Sequence, residues 1–206
     1  MYKTRWSNKN YMQYRLSIEF CYTFIITGGR KMEEEVVNIL RHYRHDLINK
    51  LQIVHGYLTM KKYDKLGQTL DELFKELDEE RKLLHLGIPQ FTLWVVCFNT
   101  SYSNFRLSYK IHTNTALPKE MDTYAVSVSQ SIMKILEQCC KPFELHEMNL
   151  EISEKHSEFL FEFHINGILS DINSLIRNEK DKVRNNFEII NDNGDLIIQF
   201  RVSKSK

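Results

Sequence analysis

The chain has 206 residues, 42% of them hydrophobic and 27% charged, with a formal net charge of +1. This is an ordinary globular composition, enough for one large domain or two small ones. The near-neutral balance excludes the broad basic footprint of a nucleic-acid binder, so no nucleic acid is expected as a partner.

Residues 1–31 differ in texture from the rest. Lys3, Arg5, Lys9 and Arg15 precede an apolar and aromatic run over 16–27 that contains Glu19. Basic then apolar is the order of a signal peptide. Glu19 inside the run and the lack of an A-x-A cleavage site weigh against that reading, and the run is too short to span a bilayer. An arm of uncertain structure is the expectation, with Met32 opening the next pattern and no membrane role.

From Val37 the apolar spacing alternates three and four: Val37, Leu40, Arg44, Leu47, Leu51, Val54, Leu58. This is the seam of a coiled-coil helix, broken only by Arg44. Lys61-Lys62-Tyr63-Asp64 interrupts it, with Asp64 as the expected N-cap of a second helix. The second seam runs Leu66, Leu70, Leu73, Leu77, Glu80, Leu84, and Gly87 and Pro89 stop it. Two such helices joined by a short turn lie antiparallel, which predicts a hairpin domain over 32–88. A single hairpin cannot bury both seams. A homodimer of hairpins, forming a four-helix bundle, is the simplest assembly that does.

On the first helix His45 stands one residue past the seam, at its flank. Residues three or four apart share a face, so His42, His45, Asn49, Gln52 and Gly56 form one polar stripe. An imidazole is a good phosphoryl acceptor near neutral pH, because with an unperturbed pKa of about 6.5 it offers a free nitrogen lone pair. Asp46 is adjacent. A carboxylate accepting from one ring nitrogen fixes the tautomer and leaves the other nitrogen nucleophilic. Arg41, Arg44 and Lys50 are cations close enough to meet phosphate oxygens, with a solvated basic face as the plainer reading.

The extended pattern R-H-D-x-x-N-x-L-x-x-x-x-G, from Arg44 to Gly56, together with Leu58 and Lys62-Tyr63-Asp64, resembles the sporulation initiation phosphotransferase B proteins of spore-forming bacilli. The resemblance covers about 35–90, and by order of elements 90–206. It implies a cytoplasmic dimer with His45 as the phosphorylated residue. It implies that phosphoryl arrives from the aspartyl phosphate of a single-domain response regulator and leaves to the receiver domain of the sporulation transcription factor. Asp46 then orients or manages the proton of His45, and Arg41, His42, Arg44, Asn49, Lys50 and Gln52 meet phosphate or partner. The receiver brings the Mg2+; this chain binds no metal and no cofactor.

Beyond the hairpin, 91–102 is a short aromatic-rich helix or strand. Residues 105–113 alternate as a strand, 121–141 read as a helix with Tyr124, Val128, Ile132, Ile135 and Leu136 on one face, and 145–153 and 159–165 alternate again. A polar helix is expected over 171–182, and 187–190 with 196–202 as a closing hairpin across Asn193-Gly194. The order predicts an α+β fold with a mostly antiparallel sheet, an α/β sandwich over 89–206. The four cysteines, Cys21, Cys97, Cys139 and Cys140, form no C-x-x-C pair, so reduced thiols are expected rather than a disulfide or zinc framework.

A histidine kinase carries its ATPase domain at this place. Such a domain needs an asparagine-bearing helix, an Asp-x-Gly-x-Gly turn and a glycine-rich lid. The helix here ends Glu137-Gln138-Cys139-Cys140-Lys141-Pro142 without asparagine, and Asn166-Gly167 and Asp192-Asn193-Gly194 are the only echoes of the glycine motifs. No G-x-x-x-x-G-K-[ST] occurs. A degenerate kinase-ATPase-like domain that does not bind nucleotide is expected, as in the resembled family. A sensor-kinase core using ATP and a non-catalytic dimeric adaptor are the alternatives.

Overall fold

A computed structural model describes residues 32–139, 144–166, 187–192 and 195–204, in two compact units that divide between Arg81 and Lys82. The arm expected over 1–31, the polar helix over 171–182 and the tip Asn193-Gly194 lie outside the described residues.

The first unit is built on α1 (Met32–Thr59) and α2 (Tyr63–His85). α1 ends in a Schellman turn: the Lys62 N–H donates to Tyr57 O at 2.9 Å and the Lys61 N–H to Leu58 O at 3.0 Å. Lys61 takes φ 57 to close it, a left-handed conformation that a residue with a Cβ adopts at a cost of about 1 kcal/mol. α2 begins at Tyr63, so Asp64 is not its N-cap but an acidic residue within its first turn. There its charge meets the positive end of the helix dipole. The Tyr43 hydroxyl donates to Glu80 Oε2 at 3.3 Å, and the Lys50 ammonium pairs with Glu76. Partner numbers that fall on α2 as they rise on α1 are the mark of the expected antiparallel hairpin.

The seam splits in two. Leu47 and Val54 on α1, and Leu66 and Leu70 on α2, are half-buried, and Leu73 is buried. Val37, Leu40, Ile48, Leu51 and Leu58 on α1, with Phe74 and Leu77 on α2, remain exposed, Leu40 at 60% and Phe74 at 65%. A pair of helices offers one contact line, and each amphipathic stripe here is wider than that line.

The second unit holds α3 (Pro89–Ser101), β1 (Phe105–Ile111), a 3-10 turn (Lys119–Met121), α4 (Asp122–Cys139), β2 (His146–Lys155), β3 (Glu158–Ile165), β4 (Glu188–Asp192) and β5 (Asp195–Ser203). The five strands order β1-β2-β3-β5-β4. β1 pairs with β2 in parallel and the other pairings are antiparallel, so the sheet is mostly antiparallel as expected. A parallel pair needs a long crossover, and α4 lies within the one between β1 and β2. Alternate strand residues, among them Leu107, Leu150, Phe161, Phe163, Ile198 and Phe200, form one core with Phe91, Trp94 and Phe98 of α3 and Ile132 and Leu136 of α4. Phe161 and Phe200 stack at 4.6 Å, and Phe91 meets Phe161 edge-on at 5.3 Å.

A proline and a buried carboxylate explain why 91–102 is a helix rather than a strand. Pro89 stands at the first turn of α3, where its missing N–H is no loss. The buried carboxylate of Asp122 then accepts from the Gln90 N–H at 2.9 Å and the Phe91 N–H at 2.8 Å. It serves as a cap supplied by the start of another helix. Asn99, at the end of α3, covers the outer edge of β1: its Oδ1 accepts from the Leu107 N–H at 2.7 Å and its Nδ2 donates to Leu107 O at 3.1 Å.

Two outcomes follow from these contacts. Asp122→Ala orphans two N–H groups at a buried helix start, and chemical denaturation should read a loss of about 1–3 kcal/mol. Glu154 is held down to about 2, chiefly by its bond from Lys204, then by Thr113 and Thr115. A carboxylate depressed in the fold stabilises above its unfolded value and loses that contribution as pH falls towards about 2. Glu154→Gln should therefore flatten the acid limb of stability against pH over that interval.

Candidate functional site

The site is one wall of α1. His45 and Asp46 are open to solvent, their side chains 71% and 74% exposed. The Asp46 carboxylate reaches the ring of its neighbour, with Oδ1 3.2 Å from His45 Nδ1. A carboxylate only accepts, so the tautomer that satisfies Asp46 carries its proton on Nδ1 and turns the Nε2 lone pair outward. Asn49, one turn on, lies against the same ring edge, its Nδ2 3.2 Å from Nδ1 and 3.5 Å from Nε2. The helical repeat thus assembles a ring, an acid and an amide from positions i, i+1 and i+4.

Two turns earlier, Asn38 ties down two more of the expected residues. Its Oδ1 accepts from Arg41 Nη1 at 2.5 Å, and its backbone carbonyl lies 2.8 Å from His42 Nδ1. That carbonyl fixes the His42 tautomer with the proton on Nδ1, so its Nε2 is bare as well. Arg44 and Gln52 are exposed. Gly56 ends the stripe, and a Cβ built there meets nothing within 4 Å. The protomer itself does not require a glycine at that place, although glycine costs a helix interior about 1 kcal/mol relative to alanine.

Lys50 is placed differently from the other expected residues. Its ammonium faces α2 and is engaged by Glu76. Tyr43, also on the α2 side, donates to Glu80, and its phenol is pushed up by burial first and by the Glu80 carboxylate second. Sequence reading missed Asn38, Tyr43, Glu76 and Glu80. Glu80 carried a signal, since it sits at a seam position where a leucine belongs.

Among the described residues no three or more histidine, cysteine, aspartate or glutamate side chains gather to hold a metal ion. No described helix is long and apolar enough to cross a membrane.

Residues 30–86 match the family described as the SpoOB-type sensor kinase alpha-helical domain. Sporulation initiation phosphotransferase B of Bacillus subtilis (strain 168) is 31% identical over 80 residues, which are 39% of this chain and 42% of that protein. The match therefore spans less than half the length of that relative. Among solved structures, the blue-light activated histidine kinase of Erythrobacter litoralis EL346 is 12% identical, with a TM-score of 0.42 over 86% of this chain and 61% of that one. A histidine kinase from Burkholderia phymatum STM815 is 11% identical, with a TM-score of 0.37 over 97% of this chain and 100% of that one. Likenesses of that size say nothing of activity. The family match and the relative both fall on the stretch that carries His45, so the hairpin of this chain is similar to the SpoOB-type alpha-helical domain.

Proposed function

We propose that this chain is a phosphorelay phosphotransferase that carries a phosphoryl group on His45, working as a homodimer in the cytoplasm. The observation that supports the reading is the ring itself: exposed, with Asp46 beside Nδ1 and only the Asn49 amide, at 3.5 Å, near Nε2. In the forward step the Nε2 lone pair attacks the phosphorus of an aspartyl phosphate on a response regulator. The N–P bond forms as the P–O bond to the aspartate breaks, and the aspartate leaves as a carboxylate. The ring is then cationic, and Asp46 stabilises it through the Nδ1 proton. In the second step a carboxylate oxygen of the receiver domain of the sporulation transcription factor attacks the same phosphorus, and the N–P electron pair returns to Nε2.

Little covalent work falls to the protein, so rate comes from alignment and charge. Arg41 and Arg44 meet the oxygens of the transferring group, while Asn49 and Gln52, with His42, line the path of the partner. The Mg2+ belongs to the receiver. The exposed apolar face of the hairpin is covered by the same face of a second copy, which closes a four-helix bundle and leaves the His45 wall outside. The sandwich unit takes no direct part in the transfer and binds no nucleotide.

The test uses labelled phospho-receiver and, separately, labelled ATP. Label moves to the chain from the receiver and not from ATP. His45→Ala abolishes labelling while sedimentation still reads a dimer. Label from ATP would make the chain a kinase core. No label from either donor would leave an adaptor, and label on the His45→Ala variant would move the carrier to another residue.

A further inference from the structure

Two polar links between the helices of the hairpin straddle His45. Tyr43 lies two residues before it and Lys50 five residues after, and both point to α2, where Glu80 and Glu76 receive them. Burial between leucines is non-directional: it holds two helices together but sets their roll about their own axes weakly. Directional polar pairs at the flank of a seam set register and roll. The described apolar contact line is thin here, with Leu73 buried and Leu47, Val54, Leu66 and Leu70 half-buried.

We propose that Tyr43–Glu80 and Lys50–Glu76 form a two-point clamp that fixes the roll of α1, and with it the direction in which His45 meets the incoming phosphorus. Tyr43 and Lys50 are positioning residues, and Lys50 acts through Glu76 rather than on phosphate. The inference rests on the phosphotransferase reading of His45. The leverage is geometric. An imidazole on an α-helix lies about 6 Å from the axis, so a roll of about 10° moves it about 1 Å. Misplacement by about 1 Å costs in-line chemistry as much as a hundredfold. Two exposed links contribute little to stability and still decide the rate.

Charge reversal with exchange tests the clamp. Lys50→Glu places two carboxylates together and Glu76→Lys two ammonium groups; the double variant restores an opposite pair in exchanged order. With wild type, both single variants and the double variant, transfer from a phosphorylated receiver is followed against receiver concentration. Each single variant should lose tenfold or more in maximal rate at an unchanged half-saturating concentration, with helicity and dimer mass intact. The double variant should return to within threefold of wild type, and Tyr43→Phe should show a smaller loss of the same kind. A double variant as slow as Lys50→Glu would overturn the clamp and return Lys50 to phosphate contact. Single variants as fast as wild type would overturn it too. A wild-type protein that takes no label sinks the phosphotransferase reading, and the clamp with it.

Discussion

Two amphipathic helices in a hairpin share one line of contact, and the apolar stripes of this hairpin are wider than that line. Leu47 and Val54 are half-buried and Leu73 is buried; Leu40, Leu51 and Phe74 are left exposed. The rest of the functional account hangs on this mismatch. It leaves an apolar face that the second copy of the proposed homodimer covers, and it divides α1 into three faces. One face meets α2 through Tyr43 and Lys50, with half-buried Leu47 and Val54 on the same side by helical spacing. One is apolar and open. The third carries His45, Asn49 and Gln52, away from both.

Placing the reactive ring on a solvated helix face has a chemical consequence. No burial shields it and no cavity encloses it, so everything needed beyond nucleophile, acid and nearby cations must come with the partner. A carrier benefits from this, because the same ring must be open to a donor and then to an acceptor. The local constellation is correspondingly small. Asp46 takes the proton side of the ring and Asn49 lies along its edge, while Asn38 fixes Arg41 and His42 one turn earlier. Such a site depends on the angle at which α1 presents it, which is where the links to Glu76 and Glu80 enter.

Much of this was legible in the sequence. Heptad spacing gave both helices and their turn, and the period-two alternation of β1, β2, β3 and β5 placed the strands within a residue or two. The stripe from His42 to Gly56 followed from helical geometry alone. Contacts that depend on tertiary neighbours were not legible. Asp122 lies far along the chain from the helix it caps, so 91–102 remained undecided between helix and strand. Lys50 read as a free cation because nothing in its own helix reveals Glu76. Asp64 read as an N-cap because the Schellman turn at Lys61 lets α2 start two residues sooner than a polar cap at 64 implies.

The chemistry of the carrier turns on one atom. With its proton held on Nδ1 by Asp46, His45 offers Nε2 to the phosphoryl group in the proposed transfer. Nitrogen-15 and phosphorus-31 NMR of the protein after phosphorylation by a receiver reads this directly. The account predicts a single phosphoramidate signal correlated with His45 Nε2, with the proton retained on Nδ1. A phosphorus coupled to Nδ1, or to the ring of His42 or any other histidine, would contradict it.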